Sequence, residues 1–176
     1  MPDGRAFHSI AAAIARRRVA AGFILGALVF WFARPTPRTL AIGAIVAIAG
    51  EAMRIWAAGH LEKGREVTAS GPYALTRHPL YLGSALMAAG IAIAAAQAAI
   101  GIVVALYFAV TITAAIRTEE RQLTERFGPQ YPAYREGRSR TARRRFSAAR
   151  AIRNREYRAL LGLALALALL AWKTVR

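Results

Sequence analysis

The stretch Gly71 to Gly83, GPYALTRHPLYLG, sets two prolines, two tyrosines, Arg77 and His78 between apolar segments. A bend requires Gly71 and Pro72, because glycine tolerates positive φ and proline pre-sets its own φ. It does not require the rest. Pro79 disfavours helical geometry at His78, which predicts Arg77 and His78 on a fixed extended piece of backbone just before a helix that opens near Leu80. Such a pair can hold an anion; the alternative is two juxtamembrane cations beside lipid headgroups.

Downstream, an apolar run extends from Leu80 to about Ala96 and another from Ala98 to Ala115, parted only by Gln97. One continuous span would far exceed a bilayer core of roughly 30 Å, so the pattern predicts a transmembrane hairpin with a tight AAQAA turn. The hairpin returns the chain to the face it left. It sets Leu80 beside Arg117 and the cluster RTEERQLTERFGPQYPAYR. Glu119 and Glu120 are expected to begin a helix leaving the membrane, with Leu123 and Phe127 as an apolar pair and Gly128 and Pro129 ending it. Two carboxylates facing an arginine and a histidine suggest a pocket for a ligand bearing both charges, against the alternative of a solvated charged helix.

Upstream, Val19 to Ala33 reads as a first membrane helix, anchored by Arg16, Arg17 and Arg18; no small-x-small cleavage site marks it as a secretory leader. Thr39 to Ala58 reads as a second. It carries Glu51 and Arg54, three residues apart on one helical face. Each charge costs roughly 2.5 to 3.5 kcal/mol at a bilayer centre, so they are expected to pair, structurally or at a functional site. The connector GHLEKGREVTAS lacks hydrophobic periodicity and is expected in the cytosol.

Residues 136 to 158 are rich in arginine, including Arg143, Arg144 and Arg145, and are expected to lie against anionic lipid at about 1 kcal/mol per cation. The final apolar segment, Ala159 to Trp172, spans about 21 Å as a helix and is read as membrane-crossing with snorkelling from Arg158 and Lys173, rather than lying in the interface.

Composition agrees with this membrane reading. The chain has 176 residues, 56% of them hydrophobic, with net charge +16 and no cysteine. Disulfides and thiolate chemistry are excluded, and the three histidines form no metal-ligand spacing. The arginines flank apolar runs rather than line a soluble face, which argues against nucleic acid as partner. The expected fold is all-α: a polytopic membrane protein with about five transmembrane helices, one domain over residues 1 to 176. Its N-terminus, connector and charged clusters are expected on the cytoplasmic side, by the positive-inside rule.

An E-x-x-R membrane helix, then SGPYALTRHPLYLG, a hairpin, and RTEERQLTERFGPQYPAYR resembles the isoprenylcysteine carboxyl methyltransferase and phospholipid methyltransferase superfamily of integral membrane enzymes. The likeness covers about Glu51 to Arg135. It implies a cytoplasmic pocket for S-adenosylmethionine, with S-adenosylhomocysteine as product, and a lipophilic methyl acceptor arriving from the bilayer, in a bacterial inner membrane. The RHPxY segment then supplies His78, Pro79, Leu80 and Tyr81 around the cofactor, with Tyr73 of GPY. REVTASG stands where relatives read HxLVTSG, placing Glu66, Val67 and Thr68 there, with Arg65 in the place of a frequent histidine. Glu119 matches the family's cofactor-contacting glutamate. Two departures bear on the acceptor: the connector lacks an asparagine and histidine common in eukaryotic members, and Gly137 to Arg140 replace the usual Val-Pro of the tail. Both put a prenylcysteine acceptor in question.

The residue types suit that cofactor. Arg77 and His78 can meet its carboxylate, Glu119 its ammonium or ribose, and a tyrosine its sulfonium. Arg54 and Arg117 are the candidate acceptor contacts, and Glu120 is the candidate base for an amine acceptor. A non-enzymatic membrane scaffold or transporter accessory protein is the competing reading; it predicts no cofactor binding.

Overall fold

The computed structural model describes residues 20–138 and 144–175, and among them every regular element is helical. The basic residues 16–18 and Arg143 lie outside the described residues. In chain order the helices are α1 (Ala20–Phe32), α2 (Pro37–His60), α3 (Pro79–Ala95), α4 (Ala98–Phe127), α5 (Gln130–Arg135), α6 (Ala148–Arg153) and α7 (Tyr157–Thr174). By length and composition α2, α4 and α7 can cross a membrane, while α1 and α3 are shorter apolar helices.

Local sequence explains the boundaries. Thr36 caps α2 through a reciprocal capping box with Thr39, and Pro37 takes the first turn, where its missing N–H costs nothing. His78 is non-helical, with φ −130°, and Pro79 opens α3, as the His-Pro pair predicts. The hairpin reverses within two residues: Ala96 adopts a left-handed φ of 54° and Gln97 is extended before α4. No second helix starts at Glu119. Nothing in residues 102–127 breaks the helix, so α4 runs 30 residues. At 1.5 Å per residue that is about 45 Å, and the polar turns from Arg117 onward stand beyond a roughly 30 Å apolar layer. Gly128, φ 53°, ends α4 as expected.

The tightest packing joins α2 to α3, antiparallel, through glycines seven residues apart on each. A Cβ on Gly43 would lie 2.4 Å from the Gly90 carbonyl oxygen, and one on Gly50 would lie 2.6 Å from that of Gly83. Small residues let the two backbones meet, the contact that replaces the hydrophobic effect between membrane helices. Away from the polar turns, Leu25, Val29 and Ala33 of the first helical segment pack with Ala94, Ala95, Val104 and Leu170.

The basic C-terminal segment also folds back onto the connector. Arg150 Nε donates to Glu62 at 2.8 Å, Arg144 Nε to Glu66 at 2.5 Å, and Arg153 lies 3.5 Å from Glu62. These arginines are tied to the connector, because acidic partners are present there and the chain folds back onto the end of α2. Ser147 N–H donates to Gly59 O, and Asn154 Nδ2 donates to the carbonyls of Ala58 and Leu61.

Candidate functional site

The hairpin, the connector and the polar turns of α4 enclose a cavity of about 690 Å³. That lies within the range of small-molecule sites, roughly 300 to 1,000 Å³. Its connector wall holds Glu66, Val67 and Thr68; Tyr73 follows from the turn, and Arg77, His78, Pro79, Leu80 and Tyr81 from the start of α3. The α4 wall is one helical stripe: Thr111, Ala114, Ala115, Thr118, Glu119, Gln122, Leu123, Arg126 and Phe127. These positions recur at three- and four-residue steps, so they share a face. Glu119 lies on that stripe and Glu120 does not.

Glu120 is engaged instead by the RHP segment. Its Oε1 lies 3.1 Å from His78 Nε2 and 3.2 Å from the Arg77 guanidinium. Burial pushes the Glu120 carboxyl up, but the His78 hydrogen bond and the Arg77 charge outweigh it and hold the group below its ordinary value. A carboxylate stabilised in its ionised form, with its oxygen already shared, is a weak base. The geometry thus gives Glu120 a part in orienting Arg77 and His78 rather than the proton-accepting part expected of it.

Aromatic residues supply the remaining wall. Tyr134 Oη donates to the Tyr73 carbonyl oxygen at 2.6 Å, pinning α5 to the GPY turn, and both tyrosines line the cavity with Tyr131. Burial, the largest cause, pushes all three phenols above their usual range. They stay neutral at physiological pH, leaving uncharged aromatic faces for a cation.

Arg54 also lines the cavity; it forms the expected ion pair with Glu51 and has a second, closer acidic partner. Nε and Nη2 donate to both oxygens of Glu156 at 2.9 to 3.1 Å, and Nη1 donates to Ser84 Oγ at 2.5 Å. Glu51 lies 3.8 Å from Nε, an ion pair at a distance beyond a hydrogen bond. Its two oxygens are buried without a hydrogen-bond partner. A residue 102 positions away reaches Arg54 with better geometry than its helical neighbour can. Arg117 is exposed and lies off the cavity wall, because its position on α4 is out of phase with the stripe.

Sequence reasoning missed Lys63 and Arg126, two cavity cations without an acidic partner among the described residues, and the hydroxyls of Ser84, Thr111 and Thr118. The signal for the α4 residues was available as i+3 and i+4 steps from Glu119. Glu156 carried none, since its contact depends on how the C-terminal segment returns.

The residues present fit S-adenosylmethionine. A carboxylate, unpaired cations and neutral aromatic faces meet in one cavity of adequate size, and these complement an ammonium and sulfonium, a carboxylate and an adenine.

Comparison with known proteins agrees. A family model described as phospholipid methyltransferase matches residues 17–130. The cobalt-zinc-cadmium resistance protein CzcN of Cupriavidus metallidurans is 34% identical over 124 residues, 66% of this chain and 57% of that protein. The nickel-cobalt-cadmium resistance protein NccN of Alcaligenes xylosoxydans xylosoxydans is 31% identical over 83 residues, 46% of this chain and 38% of the relative. This chain therefore spans less than two thirds of either. No solved structure matches it. With the family model covering the first two helices, the whole helical hairpin and its flanking polar residues to Gln130, the chain belongs to the phospholipid methyltransferase family.

Proposed function

We propose that this chain is a membrane enzyme that moves a methyl group from S-adenosylmethionine to a lipophilic acceptor, a lipid headgroup or a prenylcysteine-type carboxylate, taken from the bilayer. The observation that carries the reading is the shared cavity face on which Glu119 meets Tyr73, His78, Lys63 and Arg126. When bound, S-adenosylmethionine supplies a methyl group on a sulfonium, a carbon already activated for displacement. The protein's task is then orientation and exclusion of water. Glu119 is assigned the ligand's ammonium or ribose, Lys63 and Arg126 its carboxylate beside Arg77 and His78, and the tyrosines its cationic centre. The apolar part of α4 at Ala114 and Ala115 lets an acceptor approach from the membrane side. An amine acceptor must also lose a proton, and Glu119, on the cavity wall, accepts it if it is not held by the cofactor's ammonium. The cavity is assigned to the cytoplasmic face of a bacterial inner membrane, where the cofactor is made.

The names of both relatives favour a second reading, that the chain serves a metal-resistance system as a non-enzymatic membrane partner. Calorimetric titration of detergent-purified protein with S-adenosylhomocysteine separates the two. Saturable binding is expected; folded protein that binds none leaves only the accessory role. Incubation with labelled S-adenosylmethionine and a total lipid extract, followed by mass spectrometry, then identifies the acceptor.

A further inference from the structure

Arg54 reaches the cavity from α2, and room for its stem is made by Gly83, where a Cβ would lie 2.6 Å from Arg54 Cγ. Its donors are all directed: three contacts to Glu156, one to Ser84 Oγ and a long one, 3.4 Å, to the Leu80 carbonyl. Glu156 is 7% exposed and sits at the foot of α7, after a left-handed Arg155 with φ 63° that turns the chain from α6 into α7. The neighbouring Asn154, Arg150 and Ser147 grip the carbonyls that end α2, so Glu156 is delivered to a fixed place. That segment lies outside the residues matched by the family model. Glu51 adds a second buried carboxylate 3.8 Å from the same guanidinium.

We infer that Glu156 is a positioning and specificity-determining residue of the methyl-acceptor site: it holds Arg54 in the cavity wall and cancels its charge. The inference rests on the methyltransferase reading above. A guanidinium whose two forked N–H groups are taken by an internal carboxylate cannot also clamp a carboxylate acceptor. With Glu51 alongside, this wall carries no positive charge to spare, and it disfavours an anionic acceptor relative to one whose reacting group is uncharged. The C-terminal segment thereby supplies the close, forked carboxylate that the half-buried Arg54 otherwise lacks, with Glu51 no nearer than 3.8 Å.

Two probes report the effect: phosphatidylethanolamine in mixed micelles, as an amine acceptor, and N-acetyl-S-farnesylcysteine, as a carboxylate acceptor. Glu156→Gln is expected to leave S-adenosylhomocysteine affinity within about twofold of the parent while the ratio of amine to carboxylate methylation falls by about tenfold, the order expected for one unmasked charge. The change should appear in the acceptor KM. Because Glu156→Gln leaves Arg54 partly unpaired and can impair folding, the double variant Arg54→Met/Glu156→Gln is measured with Arg54→Met. If Glu156 acts through Arg54, the double variant matches Arg54→Met in acceptor preference. Additive losses, or an unchanged acceptor ratio in folded Glu156→Gln, overturn the inference while the parent's binding and methylation stand. A parent that binds no S-adenosylhomocysteine overturns the methyltransferase reading itself, and this inference with it.

Discussion

Glu120 Oε1 lies between His78 Nε2, at 3.1 Å, and the Arg77 guanidinium, at 3.2 Å, although 42 residues separate it from the histidine. The contact closes the hairpin at its polar end. It also separates two adjacent glutamates into different tasks, since Glu119 faces the cavity and Glu120 secures the wall beside it.

Glu119→Gln keeps the side chain's shape and removes its charge. A charge-assisted hydrogen bond contributes roughly 1.5 to 3 kcal/mol, so S-adenosylhomocysteine affinity should fall about ten- to a hundredfold by calorimetry, with thermal stability nearly unchanged. Glu120→Gln should instead lower the thermal midpoint and weaken binding less. Equal affinity in Glu119→Gln and parent would place the cofactor elsewhere.

Glu120 should contribute to the acid limb of stability. Its carboxyl is held below the ordinary 4.5 of a glutamate, so its contribution is present above that value and is lost as the pH falls through the lower folded value. The difference in thermal midpoint between parent and Glu120→Gln should therefore shrink as the pH falls below about 4.5. A difference that instead grows below pH 5 would show that the ionised carboxylate is not the stabilising form.

Helix packing gives a prediction with its own control. Gly90→Ala sets a methyl 2.4 Å from the backbone nitrogen of Ala47, so α2 and α3 must separate, at a cost of roughly 1 to 3 kcal/mol or more. Gly101→Ala meets nothing within 4 Å and should stabilise by roughly 0.5 to 1 kcal/mol through helix propensity. Thermal aggregation in detergent should rank the variants Gly101→Ala above parent above Gly90→Ala. The reverse order would mean that the two helices do not meet at their glycines.

Much of this architecture is legible in the sequence because its causes are local. Pro79 fixes His78, Gln97 interrupts two apolar runs, and Gly128 with Pro129 stops α4, each through the backbone of one or two residues. The glycine spacing on α2 and α3 was equally present, but its meaning needs both helices and their antiparallel register. Glu119 and Glu120 read as a pair in the sequence, yet only the phase of a helix that continues unbroken from Ala98 shows which one faces the cavity. The Glu51–Arg54 ion pair is legible from its i, i+3 spacing, whereas the closer Glu156 contact, 102 positions away, leaves no trace in that spacing. The same holds for Arg144 and Arg150, whose acidic partners, Glu66 and Glu62, are distant in the chain.

The chain's lack of cysteine makes its orientation directly testable. Glu125 is exposed on the polar end of α4, off the stripe that lines the cavity, so a cysteine there reports access without disturbing the site. Arg144, Arg150 and Arg153 lie at the same end of the bundle as this position, and cations are retained on the cytoplasmic side of a membrane. Glu125→Cys should therefore resist a membrane-impermeant maleimide in intact cells and react fully after lysis. A cysteine replacing exposed Trp31, at the opposite end of the helices, should show the reverse pattern and react in intact cells. Labelling of Glu125→Cys in intact cells would put the cavity on the far side from the cytosolic cofactor pool, and the methyltransferase reading would then fail even with its residues correctly placed.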